Sequence, residues 1–373
     1  MRRTEAGGVS LSATDVSNSL ACRHLTGLDM SVAFEGRKRP FRNDPLGDIL
    51  RDRGLAHEKE YVDHLKAEGR EVLDLSALKD PEAAAAATLE AMRAGQDVIV
   101  QAALLDDTGR WYGRPDVLLR TEKAGKWPWS YEAVDTKLAQ ETKGGTILQL
   151  SFYSDLLREA QGVQPEHFLV VTPRSGHAGE RYRTADYAAY FRSVRSRLQT
   201  TAATTPDEVI AATYPEPVDH CDVCAWYQGC DARRRADDHL SLVANATRSQ
   251  RRELEANGIA TLAGLARCAT IDFKPKHGSR EGLEKARDQA KIQLESRGLK
   301  TPLHELRPFK EDEGLQQLPD PTPGDVFLDL EGDPFATEGG REYLFGIVTL
   351  DAASHPVYRA WWALTHNEEK QAF

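Results

Sequence analysis

Long apolar runs, positive charge and sulfur are all in short supply in this sequence. No stretch of the 373 residues approaches the ~20 consecutive apolar residues that a membrane helix needs, which excludes a helical membrane protein. The opening MRRTEAGGVSLSATD has no apolar run after its arginines, so it does not read as a secretory signal. A cytoplasmic location is therefore expected, where thiols stay reduced and either bind metals or pack as small hydrophobes. Lys and Arg total 48 against 58 Asp and Glu, a formal net charge of −10. That balance excludes a protein that coats nucleic acid nonspecifically. A local basic groove is still compatible with it, because phosphate contacts depend on nearby cations and not on the sum. Two arginine-rich stretches, GRKRPFRN at 36–43 and ARRRADD at 232–238, read equally well as solvated surface or as such a groove. There is no internal repeat, and an alanine run at 83–87 is the sole low-complexity tract.

What is present is an ordinary globular composition, 40% hydrophobic and 28% charged, over a length that suggests two or three domains. Ser12 and Asp15 form a capping-box pattern that opens a helix through Val16, Leu20 and the Cys22–Leu25 region. PLGDILRDRGLAHEKEYVDHLKAEG reads as a second helix ending at Gly69, and Asp80, Pro81 and Gly95 bracket a third. The pattern then changes. DVIVQAALLDDTGRWYGRPDVLLR reads as two strands around a DDTG turn, and WSYEAVDTKL as a third strand. GTILQLSFYSDLLREAQG returns to helical spacing, HFLVVTP is a short buried strand, and YRTADYAAYFRSVRSRLQ another helix. Residues 1–240 thus form an α/β domain. Residues 241–312 read as a helical connector, in which LEANGIATLAGLA resembles a helix-hairpin-helix. A Pro-rich linker follows at 313–324, and strands resume over 325–373.

The densest chemistry lies in GRPDVLL and YEAVDTK. Alternate residues of a strand face the same way, so Asp135 and Lys137 project together while Glu132 points to the other side. Asp116 can join them from the neighbouring strand. Two converging carboxylates repel unless a cation sits between them, and a hard divalent ion wants such oxygen ligands. A lysine beside that ion can orient a water or steady developing negative charge on a phosphodiester. By itself, D-x-K is also common on solvated strands.

The cysteines are the second concentration. Cys221, Cys224 and Cys230, three of only five, fall within ten residues in HCDVCAWYQGC, a spacing that suits a metal with four ligands. Cys268, in LAGLARCAT, sits at an apolar helical position and reads as a small core residue. His57 lies on an apolar helical face, where a histidine is ordinarily packed and hydrogen-bonded.

The order His57, Asp116, Asp135-Thr136-Lys137, Gln149 and Tyr153 resembles the RecB branch of the PD-(D/E)XK nucleases. The match departs from the family's G-x-x-x-H by one residue, since Gly54, Leu55 and Ala56 lead straight to His57. The resemblance implies a restriction-endonuclease-like α/β core, with a mixed central sheet flanked by helices. It implies Mg²⁺ or Mn²⁺ held by His57, Asp116, Asp135 and the Thr136 carbonyl, with Lys137 in catalytic support. Gln149 and Tyr153, four apart and so on one helix face, would support the active site and the DNA strand.

The cysteine spacing C-x2-C-x5-C is similar to that of AddB-type helicase-nucleases and the CRISPR-associated RecB-like exonucleases, which set one further cysteine far upstream. The resemblance gives that role to Cys22, on the first helix, and implies a [4Fe–4S] cluster that ties the start of the domain to its end. Zinc is the competing occupant, with His220 as a ligand in place of Cys22.

In the last segment, VFLDLEGDP resembles the first motif of the DEDD exonucleases, RNase H-like folds in which a D-x-E pair binds a metal. Asp329 and Glu331 would be that pair, a second site left incomplete because the remaining family aspartates are not in the sequence. The combination is similar to bacterial RecB-like nucleases that join an iron–sulfur nuclease domain to a DEDD-like domain, sometimes with a helicase. The expected function is metal-dependent hydrolysis of DNA, on single strands or ends, in repair, recombination or defence. The alternative is a non-catalytic nucleic-acid-binding or assembly module with a structural metal.

Overall fold

The computed structural model describes residues 1–3, 8–308, 314–334, 336 and 340–373. The expected boundary between connector and linker, at 312/313, lies outside the described residues. The chain forms two compact units, one of residues 1–44, 105–112 and 188–307, the other of 45–104, 113–187 and 308–373.

The second unit is built on a six-stranded sheet. Its strands are β1 (Val72–Asp74), β2 (Val98–Val100), β3 (Val117–Thr121), β4 (Ser130–Thr136), β5 (His167–Val171) and β6 (Glu180–Arg183), which lie side by side in chain order. The β1–β2 and β4–β5 pairs are parallel and the other three antiparallel. A parallel neighbour cannot be reached by a tight hairpin, and a helix makes each crossover: Pro81–Ala94 for the first pair and Gly144–Gln161 for the second. The mixed, helix-flanked sheet that the resemblance implies is present, with more strands than the pattern resolved.

Local chemistry explains these elements. β4, SYEAVDT, is buried at every position, as a strand covered on both faces must be. Val98, Val100, Val117, Val134 and Val171 form one face and pack on Tyr61, Val62 and Leu65 of the Pro45–Ala67 helix. Asp80 caps the Pro81–Ala94 helix by accepting from Ala83 N, and Gly95 ends it at φ +77°. The stretch read as two strands around DDTG is finer than that. β2 and β3 pair directly, because Gln101, at φ +51°, ends β2. The DDTG turn belongs to the excursion between them, where Asp106 accepts from Trp111 N at 2.7 Å.

The C-terminal part of this unit is an antiparallel meander of β7 (Phe327–Asp333), β8 (Arg341–Leu350) and β9 (Pro356–Trp362), followed by the His366–Ala372 helix. Asp329 and Glu331 sit in β7 opposite Gly346 and Leu344, both exposed.

The other unit is helical. Ser12 and Asp15 make the expected reciprocal cap, with Ser12 N donating to Asp15 Oδ2 at 2.8 Å. The single helix expected through Leu25 is two, Ala13–Ala21 and Arg23–Glu35, and Cys22 is not on a helix but at the break, extended at φ −152° and ψ 112°. Gly27 lets the second of these approach the Pro206–Ala212 helix, since an added Cβ would meet Ile210 Cγ1 at 2.9 Å. Further on, Leu240, Val243, Leu254, Leu262, Leu265 and Leu283 make a separate core. There the Arg248–Ala256 and Leu262–Arg267 helices flank the Asn257–Gly258 turn. Leu262 N and Ala263 N both donate to Asp238 at 2.8 Å, and Gly264 N to Thr261 Oγ1 at 2.9 Å, so these first-turn amides already have protein acceptors. Cys268 caps the second of these helices, half-buried, with Sγ donating to Gly264 O at 3.3 Å, so it is not the core residue expected. No helix among the described residues is long and apolar enough to cross a membrane.

Candidate functional site

Strand register places the two aspartates. Val117 stands opposite Val134, so one step further Asp116 stands opposite Asp135 on the same face of the sheet. Asp116 is half-buried and Asp135 wholly buried. Asp116 Oδ2 accepts from Thr136 N at 2.9 Å and from Thr136 Oγ1 at 3.3 Å. Lys137 forms an ion pair with Asp135 Oδ2, an oxygen that receives no aligned hydrogen bond. From the Gly144–Gln161 helix, Gln149 donates Nε2 to Asp135 Oδ1 at 3.1 Å and to Tyr153 Oη at 3.2 Å. Gly113 makes room for that tyrosine, since an added Cβ would lie 2.7 Å from Tyr153 Cε1.

The electrostatics follow from this packing. Burial, and secondly the Asp116 charge, push the Asp135 carboxyl up to about 8, against the lowering pull of Lys137. Two carboxyls facing each other out of water hold either a proton or a cation between them. Glu132 takes no part, because it points to the other face, where it accepts from His167 N at 2.9 Å and from Arg181 at 3.1 Å.

His57 is held differently. It projects from the Pro45–Ala67 helix and donates Nε2 to Val171 O at 3.3 Å, the carbonyl of the residue paired with Thr136. Its ligand atoms do not close with those of Asp116 and Asp135 to within 4.8 Å of one another, a spacing that among the described residues only Glu216, His239 and Glu255 reach. The residue that sequence reasoning missed is its neighbour Glu58. Burial raises its carboxyl, Gln101 Nε2 donates to it at 2.6 Å, and the charges of Asp116 and Lys137 both bear on it. Gln101 also donates its backbone N to Asp116 O at 2.7 Å, which puts its left-handed backbone between two acidic groups of the site. Nothing in HEKE distinguishes Glu58 from Glu60. Only the fold does.

All four expected cysteines lie in the helical unit and line one small cavity together with His220, Trp226 and Arg234. Cys22 comes from the break between two helices, Cys221 and Cys224 from a tight turn at 219–223 and its cap, and Cys230 from the Tyr227–Ala236 helix. Burial raises the thiols of Cys22, Cys224 and Cys230, the last to about 11. Val218 N donates to Cys221 Sγ at 3.4 Å. Arg234, almost fully buried, donates to Pro215 O at 2.9 Å, and its charge opposes the rise at Cys22 and Cys230. The Trp226 indole is 6% exposed, and its buried Nε1–H has no acceptor. No three of the four sulfurs lie within 4.8 Å of one another, whereas about 2.3 Å bonds to a tetrahedral zinc would set them roughly 3.8 Å apart.

The arginine-rich stretches serve this lobe. Arg42 donates to Cys221 O and Cys224 O, each at 3.3 Å, and to Asp222 O. Arg37 stacks 4.9 Å over the Trp226 ring, and Arg39 pairs with Asp29 at 2.6 Å. In the second stretch, Arg233 and Arg235 pair with Asp237 and Asp231, each at 2.7 Å. These cations have partners inside the unit and are not a bare basic groove.

The Glu216–His239–Glu255 group has metal-like spacing and the wrong protonation. His239 Nδ1 accepts from Ser241 N at 3.1 Å, so the ring proton sits on Nε2, which faces Glu216 and Glu255 at 3.4 Å each. Coordination through Nε2 would leave neither nitrogen protonated. The group is a hydrogen-bonded hub, with Arg251 on Glu216 at 2.9 Å.

Compared with known families, residues 37–231 match the PD-(D/E)XK nuclease superfamily. No curated protein matches the chain.

Proposed function

The chain belongs to the PD-(D/E)XK nuclease superfamily, and from that premise we propose that it is a RecB-like, Mg²⁺- or Mn²⁺-dependent DNA nuclease, acting on single strands or ends, with a structural iron–sulfur cluster. The observation that carries the first part is the opposition of Asp116 and Asp135 with Lys137 paired to the second of them. A divalent ion there would polarise a phosphoryl oxygen and lower the pKa of a water. Asp116, Asp135 and the Thr136 carbonyl would hold the ion, where the Lys137 ammonium now pairs with Asp135. Glu58 adds negative charge beside Asp116. Lys137, one-third exposed at the rim, steadies charge developing on the phosphodiester. Gln149 keeps Asp135 in one orientation, and Tyr153 sets the position of Gln149.

Four half-buried thiols, a buried guanidinium and an indole N–H without an acceptor suit an anionic, thiolate-bound group in the second cavity. Its role is mechanical: it joins the Cys22 helix break to the Cys221–Cys230 segment across nearly 200 residues of chain.

The test is degradation of end-labelled single-stranded DNA in Mn²⁺ by the wild type and by Lys137→Ala. The wild type is expected to degrade it and the variant to be about 100-fold slower or worse. Equal rates would remove the site assignment.

A further inference from the structure

Trp226 brings a buried donor without a partner to the wall of the cysteine cavity. An indole offers a single donor and no acceptor, and buried donors in folded proteins nearly always find a partner. Here Nε1–H has none. The ring has little freedom to turn it elsewhere: Leu25 and Leu28 pack on it, Cys22, Cys224 and Cys230 border that cluster, and the Arg37 guanidinium lies 4.9 Å over its face. Nearby carbonyls are already engaged. Cys221 O and Cys224 O accept from Arg42, Pro215 O from Arg234, and Trp226 O from Cys230 N. The wall of this cavity offers four sulfurs, beside Glu216, which Arg251 already engages, and His24, which pairs with Thr213. The lobe already uses one bond to sulfur, from Val218 N to Cys221 Sγ.

We infer that the Trp226 indole N–H donates a hydrogen bond to a sulfur of the group held by Cys22, Cys221, Cys224 and Cys230, making Trp226 a positioning residue that sets the group's reduction potential. This rests on the iron–sulfur reading above. An N–H aimed at an anionic cluster stabilises the state with more negative charge, so it favours reduction, and hydrogen bonds to sulfur are a recognised lever on cluster potential. Arg234 acts in the same sense from within the cavity, which it lines as a buried cation.

The experiment uses the full chain purified without oxygen. Iron and sulfide are quantified first, and the cluster is then titrated with reductant while its visible absorption is followed. A wild type without iron and sulfide would end the iron–sulfur reading, and this inference with it, before any variant is made. With the cluster present, Trp226→Phe keeps the ring and removes the N–H. The expected result is retained iron and sulfide with reduction disfavoured about tenfold, a midpoint about 59 mV lower for one electron. An unchanged midpoint at full iron content would overturn the inference while leaving the cluster assignment standing. Should Trp226→Phe lose the cluster, the same titration is run with a benzothienylalanine at position 226, which keeps the bicyclic shape without the N–H. A lowered midpoint then supports the bond, and an unchanged midpoint or loss of the cluster counts against it.

Discussion

Gln149 donates its side-chain amide to Asp135 Oδ1 at 3.1 Å while the same nitrogen meets Tyr153 Oη at 3.2 Å. A helix residue thus fixes the orientation of a fully buried strand carboxylate, and a second helix residue one turn on fixes the first. Supporting bonds of this kind are typically worth 10–100-fold in metal affinity or activity. Gln149→Ala is expected to slow single-turnover DNA cleavage by about that factor with an unchanged circular dichroism spectrum. A variant as fast as wild type would show that Asp135 needs no such brace.

The raised Asp135 carboxyl makes stability depend on pH. The folded state holds the proton up to about 8, whereas an unfolded aspartate releases it near about 4. The contribution is therefore complete below about pH 4 and lost as pH rises through about 8. In the metal-free protein the urea midpoint should fall across that window, and Mg²⁺ should restore it more at pH 8 than at pH 5. Asp135→Asn should flatten the dependence. A midpoint in the metal-free wild type that rises from pH 5 to pH 8 would contradict this.

Glu58 carries no sequence signature, yet the charges of Asp116 and Lys137 both act on it. Glu58→Gln keeps the Gln101 contact within reach and removes the charge. Mn²⁺ affinity, followed by the electron-spin signal of free Mn²⁺, should weaken about tenfold. An unchanged affinity would confine Glu58 to packing.

Cys22 is separated from the cysteine trio by nearly 200 residues of chain, and they line the same cavity. Cys22→Ser is expected to lose most bound iron and to lower the thermal midpoint, because the link across a long loop is cut. Full iron content in that variant would refute the split set of ligands.

Much of this was legible in the sequence, for reasons that can be named. Strand alternation placed Asp135 and Lys137 together and sent Glu132 to the opposite face, as the Glu132–Arg181 pair confirms. Capping chemistry at Ser12, Asp80 and Gly95 located helix ends. What escaped depends on tertiary placement. The Cys22 break lies within a helical apolar pattern, and Gln101 ends a strand through a backbone angle that no residue type announces. The partners of Arg37, Arg39 and Arg42 are far along the chain or across a turn, so the stretch reads equally as solvated surface or as a basic groove.

The central claim is that the opposed carboxylates of β3 and β4 take up a divalent ion and that DNA cleavage depends on it. Mn²⁺ binding and cleavage of end-labelled single-stranded DNA, measured in parallel on the wild type and Asp135→Asn, test it most directly. The wild type is expected to bind Mn²⁺ and to cleave, and the folded variant to do neither. Cleavage by Asp135→Asn at the wild-type rate would contradict it.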